Sequence, residues 1–511
     1  MLRTSEQYIE SLFAMRPNIH IEGKKVGRSD PRLLPGINVI STTYDLALER
    51  RWKNLAVTRS PISSGEVSRW AYLPQSPYDL IQKQKLIRMA SRRVGGCVQR
   101  CMGQDALTAL AICTKEIDLA KGTHYFERFI KYLHFYQKND LDGCCAQTDS
   151  KGDRLKRPNQ QENTDAYVHI IEEQKDGIVV SGMKMPVTQA AYADEIIVIP
   201  TRALKEEDRD YAVAFAIPAD WEGIRLITHP VRVRAGNKSD CSPLCRYGVA
   251  DSVIVFDHVF IPKERVFMCG EWEFGRRLAL LFADSHRHSY CGCKPAFSDI
   301  LCGAASLAAQ ANNIESTFHV RQKLAELAGM AEIAYAAGIA AAIYGEMSSA
   351  GVFFPNLKYA NIGRKLTGRL IYKEYNLLTE IAGGIAATMP SAEDFEAEET
   401  RFYLEKLIVR NRDLSPEVSR KIWSFIEYVS NSPLTTWNEA LGVHGGGSPM
   451  METLVLSQEY DYETKKRLAR YLAGIDSDYD DSSDLWEEPA FGESLTEDRR
   501  GDLREYFKGI Q

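Results

Sequence analysis

The chain has 511 residues, 44% hydrophobic and 26% charged, with a formal net charge of −6 and a pI near 6.0. This balance gives no broad basic field for nucleic acid, and no apolar stretch is expected to reach the roughly 18 residues of a membrane span. Met1-Leu-Arg-Thr-Ser-Glu has neither a basic n-region nor an apolar h-region, so the eleven cysteines are expected as reduced thiols in the cytoplasm, without a disulfide framework.

Residues 1–140 read mainly as helix. Tyr78 to Met89 repeats apolar residues near the helical period, and Asp105 to Ile112 continues it. From 141 to 275 the texture turns to short β-branched runs. Tyr167 to Ile171 and Gly177 to Ser181 flank Asp176-Gly177, a hairpin signature because both residues tolerate positive φ. Glu195 to Ile199, Tyr211 to Ile217 and Ser252 to Phe256 follow as strands. Residues 276–475 return to the helical period: Ile300 to Met347 is rich in Ala and Leu, with Leu324, Leu327, Ala331 and Ala334 on one face, and further helices are predicted at 359–383, 397–411 and 415–430. Residues 476–511 form an acidic tail. The expected class is α+β: an N-terminal helical domain, a middle β domain and a C-terminal helical bundle, the order of acyl-CoA dehydrogenase-like proteins.

Two cysteine clusters stand about 190 residues apart, Cys97-Val-Gln-Arg-Cys101 and His286-Arg-His-Ser-Tyr290-Cys-Gly-Cys293-Lys294. Three thiolates and an imidazole suit one soft-metal site, and thiolates select iron–sulfur clusters, zinc or copper(I). If 97–101 is helical, the i,i+4 spacing places both sulfurs on one face. Free Cys is also a common buried hydrophobe, and Cys241-Ser-Pro-Leu-Cys245 repeats the spacing in a loop-like setting. Gly445, Gly446 and Gly447 before Ser448 would let backbone N–H groups approach a phosphate or ring. No GxGxxG fingerprint opens a βαβ unit, so a Rossmann-type site is not expected.

These motifs, with Thr148-Asp-Ser-Lys-Gly-Asp-Arg154, Val255-Phe-Asp-His-Val-Phe-Ile-Pro262, Ile381-Ala-Gly-Gly-Ile-Ala-Ala-Thr-Met-Pro390 and His444-Gly-Gly-Gly-Ser-Pro449, resemble the 4-hydroxybutyryl-CoA dehydratase family. The likeness covers most of 1–475 and extends more distantly to flavin-dependent 4-hydroxyphenylacetate 3-monooxygenases. It implies FAD and an oxygen-sensitive [4Fe–4S] cluster, with Cys97, Cys101, His286 and Cys293 as ligands. Gln147, Thr148 and Thr188 would line the flavin, with Gly445, Gly446 and Ser448 near it. The implied reaction is loss of water from a 4-hydroxyacyl-CoA thioester in a homotetramer, the flavin acting as electron sink and the iron as Lewis acid at the C4 hydroxyl. His286, Tyr290, Lys294 and Gln99 are the implied catalytic residues, joined by Asp251. The oxygenase branch would need flavin but no iron; a structural zinc site would need neither flavin nor catalysis.

Four positions depart from the family pattern. His288 and Cys291 replace residues more often Gln and Gly. Asp251 stands where a Glu is usual, and Leu441 occupies the place of a Glu regarded as a base. Glu439 lies two residues from Leu441, about 200° away on a helix, so it is not a simple replacement.

Overall fold

The computed structural model describes residues 2–63, 65–231, 243–447 and 449–476. Cys241, Ser448 and the tail beyond Asp476 lie outside the described residues. The N-terminal stretch carries α1 (Ser5–Ala14), α2 (Leu34–Leu48), α3 (Lys53–Ala56), α4 (Pro77–Val94), α5 (Cys101–Lys121) and α6 (Tyr125–Lys138). Local chemistry delimits α4: the Ser76 side chain accepts from Asp79 N–H, Pro77 opens the first turn, and Gly95 at φ +69° ends the helix.

This stretch also holds strands that the sequence reading missed. β1 (Ile19–Ile21) and β2 (Lys24–Val26) form a short hairpin, as do β3 (Val57–Arg59) and β4 (Glu66–Ser68). Three-residue strands are too short for a period-2 signal to stand out.

The next strands are β5 (Gly143–Ala146), β6 (His169–Gln174), β7 (Gly177–Thr188), β8 (Glu195–Val198), β9 (Val213–Pro218), β10 (Ile224–Pro230), β11 (Ala250–Pro262) and β12 (Val266–Cys269). They build two sheets, ordered β2-β1-β10-β11-β7-β6 and β12-β9-β8-β5. β6 and β7 are the Asp176-Gly177 hairpin, paired from Gln174↔Gly177 outward. β1 pairs in parallel with β10, Ile19 opposite Leu226, so the N-terminal hairpin completes the larger sheet. One apolar core runs from Tyr8 and Ile37 through Leu110 and Phe129 to Ile196, Phe215 and Ile254.

Helices resume with α7 (Gly275–Ala311), α8 (Phe318–Ile343), α9 (Leu357–Gly368) and α10 (Ile371–Ala382). The Ala/Leu-rich run is therefore two helices, separated where Asn313 takes φ +58°. The 359–383 helix is also two, broken beside Gly368, where a Cβ would lie 2.8 Å from the Gly442 carbonyl oxygen. Next come α11 (Ile385–Thr388), α12 (Ala392–Glu396), α13 (Glu398–Ile408), α14 (Pro416–Asn431), α15 (Pro433–His444), α16 (Pro449–Glu459) and α17 (Tyr462–Leu472). A second core joins Leu301 and Leu327 to Leu378, Trp423 and Ile426. The expectation that no stretch reaches membrane-span length is corrected by α8, which is long and apolar enough by length and composition. It packs between α7 and α9, burying Leu327, Ala331 and Ala334.

Candidate active site

Helices α4, α5 and α7 meet around the cysteines. Residues 97–101 are not a helical turn, contrary to the i,i+4 expectation. Gly95 ends α4, Gln99 takes φ +64°, and α5 begins only at Cys101. The left-handed turn, not helical stacking, brings Cys97 back toward Cys101. Gly103 lets α5 lie against β5, since a Cβ there would sit 2.4 Å from the Gly143 carbonyl oxygen. On α7, Pro295 has no N–H to give the Cys291 carbonyl. The buried Gln84 of α4 supplies that bond through Nε2 at 2.9 Å, keeping the helix continuous beside Cys293.

Cys97, Cys101 and Cys293 lie close enough that charge on one raises its neighbours' pKa. Burial pushes the Cys97 thiol up to about 11, and Cys101 and Cys293 well above the ordinary range. Leu86, Ile87, Ala90, Val98 and Trp70 surround Cys101, Tyr290 and Cys293 in one apolar cluster. Such thiols ionise only against a bound cation, which suits ligands of a soft metal. His286 completes the set: one of its ring nitrogens, the Cys101 sulfur and an Asp105 oxygen all lie within 4.8 Å of one another. The four predicted ligands are thus brought together, and their donor chemistry fits an iron–sulfur cluster.

Asp105 was not singled out from the sequence. It is fully buried, with Oδ2 2.8 Å from His286 Nδ1 and Oδ1 accepting from Lys83 Nζ at 2.5 Å. Burial alone would push this carboxyl up; the Lys83 ammonium and the hydrogen bond from His286 hold it down at about 2. The available signal was its position four residues after Cys101, on the same helical face.

Asp251 sits where sheet and bundle touch. It pairs with Thr188 across β11 and β7, and its Oδ1 accepts from Thr188 Oγ1 at 2.6 Å. Its Oδ2 accepts from Trp437 Nε1 of α15, also at 2.6 Å. Its charge reaches Cys97, so Thr188 and Asp251 belong beside the thiols. Gln147 donates to the Ala279 carbonyl at the start of α7, while the Thr148 carbonyl accepts from Met185 N–H.

Gln99 is held from both ends: its Oε1 accepts from Tyr192 and its Nε2 donates to the Gly248 carbonyl. Tyr290 donates to the Gly442 carbonyl at 3.0 Å, under the Arg364 guanidinium. Gly446 and Gly447 take φ +83° and +119°, values that demand glycine. Two buried arginines anchor the run, Arg287 donating to the Gly446 carbonyl and Arg364 to that of Gly445. Leu441 and Glu439 both lie on regular helix α15, so their two-residue offset stands. His288 is fully buried and held neutral by desolvation, down to about 3; Cys291 is buried against Gly338 and Gly363.

Lys294 is not a surface lysine. Its Nζ lies 2.5 Å from Glu374 Oε2 of α10, both side chains are buried, and Ser298 bridges them. Glu374→Gln would leave a buried ammonium without its counter-charge and is expected to cost about 3–5 kcal/mol, whereas a paired Lys294→Met, Glu374→Leu change should cost far less. Thermal unfolding midpoints of the two variants check this. A cleft of about 750 Å³ opens elsewhere, between the end of β10 and the α14–α15 junction, walled by Arg32, His229, Pro230, Tyr428 and Ser432. It contains none of the thiols, but His229 pairs with Asp251 in the sheet, one strand away.

Fold and site together define a three-part helix–sheet–helix protein with a buried thiol–imidazole centre between helices α5 and α7. Two family models match, described as 4-hydroxyphenylacetate 3-hydroxylase N terminal over residues 4–268 and C terminal over residues 276–474. The 4-hydroxybutyryl-CoA dehydratase/vinylacetyl-CoA-Delta-isomerase of Clostridium aminobutyricum is 35% identical over 496 residues, 93% of this chain and 100% of that protein. A solved oxygen-tolerant archaeal 4-hydroxybutyryl-CoA dehydratase from N. maritimus is 33% identical with a TM-score of 0.89, over 96% of this chain and 97% of that one. The oxygenase component of 4-hydroxyphenylacetate 3-monooxygenase, solved with FAD, shares the fold at 22% identity and a TM-score of 0.83, over 92% and 98% of the two chains. The chain belongs to the 4-hydroxybutyryl-CoA dehydratase family.

Proposed function

We propose that this chain is an FAD- and [4Fe–4S]-dependent radical dehydratase that removes water from a 4-hydroxyacyl-CoA such as 4-hydroxybutyryl-CoA. The observation that carries this reading is the convergence of Cys97, Cys101, Cys293 and His286, with Cys101 and Cys293 set in one apolar cluster. When bound, the flavin supplies a reversible electron sink and the cluster iron Lewis acidity toward a hydroxyl leaving group.

The protein's own groups handle protons and position. Asp251, with one carboxylate oxygen on Thr188 and the other on Trp437, takes the proton at C2 in place of the carboxylate absent at Leu441. His286 would serve as a ligand and, when displaced from that place, as the base at C3, and the Tyr290 hydroxyl and the fixed charge of Lys294 act beside them. Thr188, Gln147, Thr148, Gly445, Gly446 and Ser448 would border the flavin. The helical, β and bundle segments 1–140, 141–275 and 276–475 would act as domains of a cytoplasmic homotetramer. Exposed Phe402, Tyr403 and Leu407 on α13 support an apolar contact between copies.

Anaerobically purified protein should hold about four iron and four sulfide per chain, together with noncovalent FAD, and should turn over 4-hydroxybutyryl-CoA. Thr188→Val should weaken flavin retention more than iron retention. A second reading, a reduced-flavin phenol monooxygenase, is favoured by the description of the two family models. It predicts flavin without iron and turnover dependent on O2. Stoichiometric zinc without flavin would overturn both readings.

A further inference from the structure

We propose that Asp105 is the positioning residue of the metal centre: it fixes His286 as the Nδ1–H tautomer, leaving Nε2 as the ring's one electron pair for metal. The inference rests on the ligand set proposed above. Oδ1 of Asp105 receives Lys83 Nζ (2.5 Å), Ser285 Oγ (2.8 Å) and Ser289 Oγ (3.0 Å), while Oδ2 faces His286 Nδ1 at 2.8 Å. Three donors, one of them an ammonium, leave this carboxylate only an acceptor's role, so the imidazole nitrogen facing it carries the proton. Stacking on Phe282, with centroids 5.6 Å apart and planes at 7°, holds the ring's plane. Metal-bound imidazoles are commonly oriented this way by a carboxylate on the other nitrogen.

The arrangement does more than set a tautomer. Asp105 shares α5 with the thiol of Cys101, and the serines it binds flank His286 on α7 at 285 and 289. One carboxylate therefore fixes the separation of the two helices that supply the ligands, with Lys83 of α4 as its counter-charge. With four donors already engaged, its oxygens are poorly placed to be ligands themselves.

The test uses anaerobic holoenzyme labelled with 15N-histidine and reduced by one electron, with pulsed EPR reading the histidine coupling to the cluster. Asp105→Asn alone would strand the Lys83 charge and endanger folding, so it is paired with Lys83→Met. Lys83→Met alone would strand the Asp105 carboxylate in the same way, so Asp105→Glu, which keeps the charge, is the control. The Lys83→Met, Asp105→Asn pair should lose the coupling and about one iron in four, because an asparagine amide can donate to Nδ1 and force the wrong tautomer. Asp105→Glu, again an acceptor only, should retain the coupling. If the double variant keeps coupling and iron at wild-type levels, or Asp105→Glu loses as much as the pair, Asp105 has no positioning role. A wild-type cluster without histidine coupling would instead remove the ligand set itself.

Discussion

Cys101→Ala is expected to strip most of the iron from anaerobically purified protein, from about four atoms per chain to a small residue, while Cys302→Ala on the same α7 helix as Cys293 leaves it intact. The difference follows from surroundings rather than from residue type. Cys101 opens α5 inside the apolar cluster and exchanges electrostatic influence with Cys97, Cys293 and Asp105. Cys302 is half-buried, and its thiol is raised by burial and by Asp299 alone. Because burial holds the Cys97 thiol at about 11 without metal, loading must expel protons. Iron retention should therefore weaken as pH falls, measured as iron released to a chelator at pH 5.5 against pH 8. Equal iron loss in Cys101→Ala and Cys302→Ala would remove the case for the centre.

Asp251→Asn should lower turnover about 100-fold or more with iron and FAD content unchanged, the size of effect typical of a general base. Asparagine keeps the size of the side chain. Its Oδ1 can still accept from Trp437 Nε1, and the Thr188 hydroxyl can turn to accept from the new amide. The loss would therefore be of basicity rather than of structure. Glu439, on α15 and half-buried with its carboxyl raised by desolvation, is the competing group. Should Glu439→Gln be the damaging change and Asp251→Asn the mild one, the assignment reverses. Leu441→Glu supplies the converse: on 4-hydroxybutyryl-CoA it should raise or preserve activity.

What was legible in the sequence followed from strong local signals. The Asp176-Gly177 turn placed the β6–β7 hairpin, and long apolar periodicity located α4, α5 and α14. The two cysteine motifs pointed to thiols that do meet. The failures were at punctuation and at tertiary partners. Gln99 takes a left-handed turn that no propensity marks, so Cys97 lies outside the helix. Asp105, Glu374 and Trp437 carry polar contacts of the site, yet each sits in an ordinary helical stretch; only the packing of α5 against α7, of α10 against α7, and of α15 toward β11 reveals what they touch. The partner of Lys294, Glu374, is 80 residues away, beyond the reach of any local pattern.

The parallel pairing of β1 with β10 has a consequence for how the chain is made. Ile19 meets Leu226, so during synthesis the first hairpin lacks its β10 partner until about 200 more residues have emerged, a wait on the order of 10–40 s at about 5–20 residues per second. Over that interval Ile19 and Ile21, fully covered in the finished protein, present an open strand edge to other nascent chains. The nascent chain should therefore bind holdase chaperones through this hairpin, and expression at lowered temperature should change soluble yield more than the folded protein's own stability would suggest.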